Sequence, residues 1–438
     1  MLIHSNITHF GKSQAQKLCL IHGTTRLTYQ ELIQKVNLLA QRLATKIQKG
    51  DKVLVKQINP VSQLLYFLST VKAGGCCIFV DASTSQEVCT SLMEEQKIVL
   101  AIDENFQLSK NKTATLPDIY PEDIFLGALS SGSTGTPRLI WRSHQSWTNA
   151  FPSQSIVFHI SPKDTIYLAG SLAYTANLNA CLHLLAEGGT VVMASNHLPR
   201  TWVREIKQHQ VSAMFMVPAH YRLLLKVIDA PLNQITSLVT AGAKIDGQTV
   251  QNLVKAFPQA NICEYYGASE LGHVSYSATK DLLSHPESVG KAFPGVTLTI
   301  EQDTIWAESP YLAPEYSPKS TVGDLGKIDK EGYLYLLGRK SGIINSGGIK
   351  IIPEQLENIL RRCPGIDEAV VGGITDPMRG QKVCAWIVKK KPTLLAADIL
   401  DYCRQKMLSS CCPQQIIFVD EIPMNSNGKI DRIRLKAQ

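Results

Sequence analysis

Short apolar segments alternate with segments of helical periodicity along most of the chain, and this alternation restricts the fold more than any other feature. Helical spacing of apolar residues predicts helices at 28–48 and 61–75. Short apolar runs of strand-like composition occur at 52–56, 76–81, 190–193, 213–217 and 236–240. Strands separated by helices form largely parallel sheets, because each parallel connection needs a crossover. We therefore predict an α/β fold with a large, multilayered N-terminal domain of mostly parallel sheets.

The pattern changes near residue 290. Residues 295–308 and 332–339 have the alternation of antiparallel hairpins, and a short glycine-rich segment follows at 341–350. Beyond it, predicted helices and strands lie at 353–362, 368–374, 382–389, 394–407 and 415–420. We predict an N-terminal domain over residues 1–340 and a small, mobile α+β domain over 341–438, with the glycine-rich segment as the hinge.

Composition excludes several classes of protein. The net charge of +7 is dispersed, and its densest run, 389–391, is interpreted as a solvated turn, so no nucleic-acid partner is expected. The chain has no apolar run of the roughly 18 residues that span a membrane, and its N-terminus lacks the apolar core of a signal peptide. The 11 cysteines include no CxxC pair, which favours reduced thiols in a cytoplasmic protein over a metal site.

The segment LSSGSTGTPR at 129–138 follows a strand-like run at 124–129. Glycines let the backbone approach a phosphate chain closely, and turn N–H groups can form an anion nest. Hydroxyl donors are supplied by Ser130, Ser131, Ser133, Thr134 and Thr136. The segment is not a Walker A loop, because GxxxxGK[ST] is absent. A phosphate-binding loop is predicted, with a flexible surface loop as the alternative.

Further motifs follow in a fixed order around this loop, at 72–81, 129–138, 240–245, 264–270, 322–326, 338–357 and 425–432. With these motifs, nearly the whole chain resembles the adenylate-forming superfamily, which includes acyl-CoA synthetases, the adenylation domains of peptide synthetases, and luciferases. The resemblance implies ATP, Mg²⁺ and coenzyme A as ligands, together with a small-molecule acid. It implies an ATP site formed by Ser130, Ser131, Gly132, Ser133, Thr134, Gly135, Thr136, Arg138, Gly242, Ala243, Tyr266, Gly267, Ser269, Asp324 and Arg339.

Each implied role has a physical basis. The ring of Tyr266 suits stacking on adenine. Glu270 supplies a hard oxygen ligand for Mg²⁺, with the hydroxyl of Ser133 as a second ligand. The carboxylate of Asp324 would accept hydrogen bonds from the ribose hydroxyls, while Arg339 would reach the ribose or a phosphate.

The implied catalytic residues are Lys429 and Glu270. The family places the lysine between the carboxylate of the acid and the α-phosphate, where attack joins two anions. A lysine charge offsets this repulsion in the transition state. Without the surrounding motif, a lysine in a glycine turn would be interpreted as structural.

Two features of the 338–357 motif bear on the second half-reaction. Gly347 and Gly348 resemble the thiol channel of CoA ligases, where missing side chains would let the pantetheine arm pass; the alternative is a simple turn. Ser341 occupies the expected hinge, where the family usually has Asp or Lys. Arg138 likewise replaces a commoner lysine, which changes the geometry of the charge.

The segment at 171–180 corresponds to the part of the family that contacts the acid. It offers Tyr174 and Asn177 as acyl-pocket candidates and contains no acidic residue to pair with the ammonium of an amino acid. Nearby leucines belong either to an acyl pocket or to the core: Leu172, Leu178, Leu182 and Leu184. We expect a plain carboxylic acid, with a medium or long fatty acid ahead of an aryl acid.

These features predict an AMP-forming acyl-CoA ligase. Three alternatives remain: an enzyme that loads an acyl or aryl group onto a carrier protein, an aryl-CoA ligase such as a menaquinone-precursor ligase, and a silent homologue that senses nucleotide. Intact Glu270, Asp324, Arg339 and Lys429 argue against the last.

Overall fold

The structure is a computed structural model that describes residues 1–109, 112–130, 138–346, 349–407, 411–424, 430–431 and 434–435. The chain divides into two compact units. The first comprises Met1–Leu298 and Ala307–Ser320, and the second comprises Thr299–Trp306 and Thr321–Gln438. The sequence predicts a different division, in which a mobile C-terminal domain begins after residue 340. That boundary stays a prediction.

The first unit contains most of the helices and strands. In chain order its helices are α1 (Ser5–Ser13), α2 (Tyr29–Leu43), α3 (Pro60–Lys72), α4 (Gln86–Gln96), α5 (His144–Thr148), α6 (Phe151–Val157), α7 (Thr175–Glu187), α8 (Pro199–Gln208), α9 (Pro218–Leu225), α10 (Gly247–Ala256) and α11 (Thr279–Ser284). Its strands are β1 (Leu18–His22), β2 (Thr25–Thr28), β3 (Lys52–Val55), β4 (Cys76–Phe79), β5 (Leu100–Ile102), β6 (Ile124–Ser130), β7 (Arg138–Ser143), β8 (Thr165–Leu168), β9 (Thr190–Met193), β10 (Ala213–Phe215), β11 (Ser237–Thr240), β12 (Asn261–Ala268), β13 (Gly272–Ser277) and β14 (Lys291–Ala292).

These strands form two sheets. The nine-stranded sheet has the order β14-β13-β12-β11-β10-β8-β9-β1-β2, and its pairs from β12 to β1 are all parallel. The second sheet has the order β5-β3-β4-β6-β7 and is parallel except for the β6–β7 hairpin. The prediction of an α/β fold with mostly parallel sheets is confirmed.

Local signals explain where the helices begin. The hydroxyl of Thr28 accepts from the backbone N–H of Glu31, whose carboxylate accepts from the Thr28 N–H at 2.8 Å. This capping box starts α2 at Tyr29. The predicted helix of 28–48 therefore has the right start, but α2 ends at Leu43.

The segment from 297 onwards contains β15 (Thr297–Glu301), β16 (Thr304–Glu308), β17 (Lys319–Ser320), β18 (Asp324–Ile328), β19 (Leu334–Arg339), β20 (Ile344–Ser346), β21 (Ile349–Ile351), α12 (Pro353–Arg361), β22 (Ile366–Asp376), β23 (Gly380–Lys389), α13 (Ala396–Lys406) and β24 (Gln415–Val419). Gln302 and Asp303, both at positive φ, connect β15 to β16, as in the tight hairpin turns that suit twisted strands. In the second unit, β16 pairs with β18 and β18 with β19, both antiparallel.

A further sheet in the second unit has the order β21-β20-β23-β22, and β24 pairs parallel with β23. The helices α12 and α13 pack on it around a core that includes Leu356, Leu360, Val371, Ile387 and Ile399. The predicted α+β character of this segment is confirmed. In the described part of the chain, none of the helices combines the length and apolar composition that a membrane crossing requires.

Candidate active site

The predicted adenine-binding segments lie at one edge of the large sheet. Strands β11 and β12 are parallel neighbours, with Thr240 paired to Glu264 at their carboxyl ends. The first predicted segment leaves the sheet after Thr240, whereas the second continues in β12 to Ala268, paired with β13. Ligands bind at this edge in open α/β sheets. The structure therefore brings Gly242 and Ala243 together with the segment that carries Tyr266, Gly267, Ser269 and Glu270.

The exposure of these residues suits a bound nucleotide. Gly242, Ala243 and Gly267 are exposed, and Tyr266 and Glu270 are half-buried. Exposed backbone beside a half-buried aromatic ring offers both polar groups and a flat apolar face to a planar base. The residues thus fit an adenine ring, although their individual contacts with it stay predictions.

Glu264 fastens the first of these segments to the sheet. Its side chain is buried, it accepts a hydrogen bond from the backbone N–H of Ile245 at 2.6 Å, and it forms an ion pair with Lys244. Burial raises the pKa of this carboxyl, while the charge of Lys244 opposes the shift. Sequence analysis assigned Glu264 no role, although a carboxylate inside an otherwise apolar strand was a usable signal.

Gly242 is needed for a steric reason. Its φ is +89°, and a Cβ at this position would lie 2.3 Å from the hydroxyl oxygen of Tyr174. Tyr174 is the N-cap residue of α7. The adenine segment and the start of α7, both predicted site elements, are therefore in direct contact.

The first and last described residues of the phosphate-loop motif belong to the antiparallel pair β6–β7, in which Ser130 pairs with Arg138. Residues 131–137 lie outside the described residues, as does the side chain of Ser130. The roles of Ser130, Ser131, Gly132, Ser133, Thr134, Gly135 and Thr136 therefore stay predictions. The side chain of Arg138 is 67% exposed, and one of its guanidinium nitrogens lies 3.9 Å from the carboxylate of Glu315.

Arg142, four residues further along β7, was missed by sequence analysis. It is buried and donates from Nη1 to the carbonyl of Ser269 at 2.7 Å, and from Nη2 to the carbonyls of Ser146 and Tyr311, each at 2.6 Å. Its Nε also donates to the Ser146 hydroxyl at 3.2 Å. Burial lowers the pKa of Arg142 to about 10, and the charge of Glu270 opposes this shift, so the guanidinium stays ionised at neutral pH.

These bonds fix the turn that carries Glu270. Arg142 holds the carbonyl of the preceding residue, Ser269, and the carbonyl of Glu270 itself accepts from the N–H of Ala313 at 2.8 Å. Among the described residues, no group of three or more His, Cys, Asp or Glu side chains could hold a metal ion. A single anchored carboxylate fits Mg²⁺ that takes most of its ligands from phosphates and water.

Asp324 and Arg339 lie side by side in the second unit. They are paired residues of β18 and β19, and Nε of Arg339 donates to Oδ1 of Asp324 at 2.6 Å. The side chain of Asp324 is 8% exposed and that of Arg339 is 56% exposed. The arginine thus orients the carboxylate, and the predicted contacts of both with the ribose stay predictions.

The remaining predicted residues of the second unit are described only in part. Lys429, Gly347 and Gly348 lie outside the described residues, so their roles stay predictions. Ser341 lies in a short 3₁₀ turn, Lys340–Gly342, between β19 and β20. The structure describes its backbone but not its side chain. Its role as the hinge also stays a prediction.

A pocket lies between α6, α7 and the large sheet of the first unit. Its volume is about 290 Å³, including space open to solvent, and it is lined by Gln154, Phe158, Ile160, Ile166, Ala176, Asn179, Ala180, His183, Phe215, Val239 and Tyr265. The wall residue Val239 directly precedes the first adenine segment in β11, and the wall residue Tyr265 lies within the second, next to Tyr266 in β12. The pocket therefore adjoins the predicted nucleotide site.

Neither acyl-pocket candidate, Tyr174 or Asn177, is among the described residues that line this pocket. Asn177 is buried, and its Nδ2 donates to the carbonyl of Ser171 at 3.0 Å, which ties α7 to the preceding loop. The leucines near it belong to the hydrophobic core: Leu172, Leu178, Leu182 and Leu184. The face of α7 that lines the pocket carries Ala176, Asn179, Ala180 and His183, at helical spacing.

Comparison with known proteins identifies the class. Residues 7–305 match the family profile of the AMP-binding enzymes, and residues 355–429 match that of the AMP-binding enzyme C-terminal domain. The chain belongs to the AMP-binding enzyme family. The predicted membership of the adenylate-forming enzymes is confirmed.

Similar proteins extend over the whole chain. An uncharacterised acyl-CoA ligase of Bacillus subtilis, YhfT, is 28% identical over 98% of both chains. A putative long chain fatty acid-CoA ligase of Staphylococcus epidermidis, VraA, is 27% identical over 98% of this chain and 97% of its own.

Solved structures share the fold at lower identity. The o-succinylbenzoate CoA synthetase of Bacillus subtilis, in complex with ATP and magnesium, has a TM-score of 0.85 at 21% identity, covering 98% of this chain and 99% of its own. ATP-bound MatB of Rhodopseudomonas palustris has a TM-score of 0.84 at 20% identity, covering 100% and 99%.

Proposed function

We propose that this enzyme is an AMP-forming acyl-CoA ligase that activates a carboxylic acid with an uncharged, aliphatic tail. In the first step the acid attacks the α-phosphate of ATP, giving acyl-AMP and pyrophosphate. In the second step the thiol of coenzyme A displaces AMP and forms the thioester. The names of the full-length relatives YhfT and VraA support this reaction.

The observation that carries the substrate proposal is the pocket beside the adenine segments. Among the described residues that line it, none is Asp, Glu, Lys or Arg. His183 is buried, and burial lowers its pKa to about 3, so its ring is neutral. Neither an ammonium nor a second carboxylate would meet an opposite charge there, and an unpaired buried charge is strongly unfavourable.

The side chains that line the pocket favour an aliphatic acid, because most of them are apolar and none carries a charge. Small side chains, Ala176 and Ala180, open the face of α7 along which a chain would extend. We propose a medium- or long-chain fatty acid ahead of an aryl acid.

The test is acid-dependent pyrophosphate exchange with alanine, leucine, benzoate, octanoate and palmitate, in the presence of ATP and Mg²⁺. We expect the highest kcat/KM with octanoate or palmitate and no exchange with the amino acids. Glu270→Gln serves as the inactive control, because it removes the negative charge of the proposed metal ligand. Fastest exchange with an amino acid would refute the proposed substrate class.

The acceptor is tested separately. AMP release and thioester formation should be followed with coenzyme A and with a phosphopantetheinylated carrier protein, each at the same thiol concentration. Thioester formed on coenzyme A supports the proposed ligase, whereas thioester formed only on the carrier protein would replace it by a carrier-loading enzyme.

A further inference from the structure

A buried amide with open hydrogen-bonding capacity lies in the pocket wall. Gln154, on α6, has an exposed fraction of 0%, and neither Oε1 nor Nε2 has a hydrogen-bond partner among the described residues. Buried polar side chains are nearly always paired, because an unpaired amide loses its hydration without compensation. The amide therefore requires a partner that enters the pocket, either a water molecule or a group of the substrate.

One further neutral polar side chain, His183, lines the pocket near Gln154, and a second, His273, packs against the wall residue Tyr265. The ring nitrogen Nε2 of His183 lies 2.8 Å from the hydroxyl of Ser155, the residue after Gln154. The ring of His273 lies 4.5 Å from that of Tyr265, and its Nε2 also has no partner among the described residues. Burial lowers the pKa of both histidines to about 3, so both rings are neutral.

This polar end is remote from the adenine segments. Tyr174, which contacts Gly242, is at the start of α7, and His183 follows nine residues later. At 1.5 Å per residue, the two positions are about 13 Å apart along the helix. Helix α6 meets α7 at His183, through Ser155 and through the ring of Phe151 at 5.3 Å.

We propose that the polar end of the pocket recognises a hydroxyl or a keto oxygen on the distal half of an aliphatic acid. Gln154 is the residue that forms a hydrogen bond with this oxygen. The proposal rests on the proposed function, since it assumes that the pocket holds the tail of the activated acid. An amide can donate to either group through Nε2, and it can also accept from a hydroxyl through Oε1. A hydroxylated tail should therefore bind better than a keto tail.

A plain hydrocarbon tail would be disfavoured for the same reason. If it displaced a water molecule from Gln154, it would leave the amide unpaired in an apolar cavity, and displacing such a water lowers affinity. A site built to hydrogen-bond a substrate group discriminates strongly against the analogue that lacks it. Gln154 is thus proposed as a residue that determines specificity.

The experiment compares kcat/KM for pyrophosphate exchange with octanoate, 2-hydroxyoctanoate, 7-hydroxyoctanoate and 7-oxooctanoate. For the wild type we expect 7-hydroxyoctanoate to exceed octanoate by about fivefold or more, because an unpaired buried amide costs at least that factor. The hydroxyl at carbon 2 lies too close to the carboxylate to reach Gln154, so it should give no gain.

Two substitutions test the residue itself. Gln154→Leu and Gln154→Met both keep an apolar wall of similar size and remove the amide, and we expect the preference for the distal hydroxyl to fall to about one or to invert. Gln248→Leu, at an exposed position on α10, is the matched control and should leave the preference unchanged. If the leucine variant does not fold, the preference for the distal hydroxyl is measured on the methionine variant.

The outcomes separate this proposal from the proposed function. A wild type that uses octanoate at least as well as 7-hydroxyoctanoate would overturn the role of Gln154 and leave the ligase intact. An unchanged preference in both variants would also overturn it. Absence of exchange with every acid would instead refute the proposed function.

Discussion

Replacing Arg142 by lysine tests whether the guanidinium holds the turn that carries Glu270. The arginine makes four hydrogen bonds while buried, three of them to the backbone carbonyls of Ser146, Ser269 and Tyr311. A lysine keeps the charge but concentrates its donors at one nitrogen, so it cannot reproduce a planar fork. At least two carbonyls would lose their partner.

The expected magnitude follows from those bonds. Each buried acceptor left unpaired costs about 1–3 kcal/mol, so two of them should lower the free energy of unfolding of Arg142→Lys by about 2–6 kcal/mol. The turn should also become less ordered before Mg²⁺ binds. The concentration of Mg²⁺ needed for half-maximal pyrophosphate exchange should rise several-fold, while exchange at saturating Mg²⁺ should fall less.

Urea unfolding followed by tryptophan fluorescence measures the stability. Trp147 is a local probe, because its ring centroid lies 5.4 Å from the Arg142 guanidinium carbon. Arg222→Lys is the matched control, since that side chain is 42% exposed and lies 3.4 Å from the carboxylate of Asp246. Its free energy of unfolding should change by less than about 0.5 kcal/mol. If Arg142→Lys is as stable as the control and has the same Mg²⁺ requirement, the positioning role is wrong.

Three further predictions follow from other parts of the chain. Lys429→Ala should slow adenylation by about a hundredfold or more, equivalent to about 3 kcal/mol, yet slow thioester formation from supplied acyl-AMP much less; equal losses in the two half-reactions would exclude its assigned role. Gly242→Ala should destabilise the first unit by about 1–2 kcal/mol in urea unfolding, because its φ is +89° and the added Cβ would clash with the Tyr174 hydroxyl. Adding Tyr174→Phe to the same chain should recover part of the lost stability. No recovery would mean that the backbone strain alone is responsible. Burial lowers the pKa of His144 from 6.5 to about 3, so between these values the unfolded chain binds a proton that the folded chain does not, and stability falls as the pH falls. His144→Gln should therefore reduce the slope of unfolding free energy against pH in this window by up to about 1.4 kcal/mol per unit, and an unchanged slope would show that His144 is not neutral in the folded state.

Much of the fold follows from the sequence alone. The buried strands β4 and β9 are short apolar runs, and their hydrophobic character is independent of what lies around them. The start of α2 is similarly local, because its capping box lies within four residues. The positions of the motifs along the chain were likewise sufficient to recognise the family.

Tertiary structure decided the features that depend on residues distant in sequence. Arg142 gave no signal in its own segment, because its partners Ser269 and Tyr311 are 127 and 169 residues away. The same applies to the acyl pocket. Helical spacing alone did not show which face of α7 belongs to the core and which lines a cavity, since Leu178 and Ala180 are both apolar. The packing of α6 and the large sheet against α7 places Leu178 in the core and Ala180 in the pocket wall. Only the packed structure showed that the buried amide of Gln154 has no hydrogen-bond partner among the described residues. Hydrogen-bond satisfaction depends on the whole packed interior and not on any one segment.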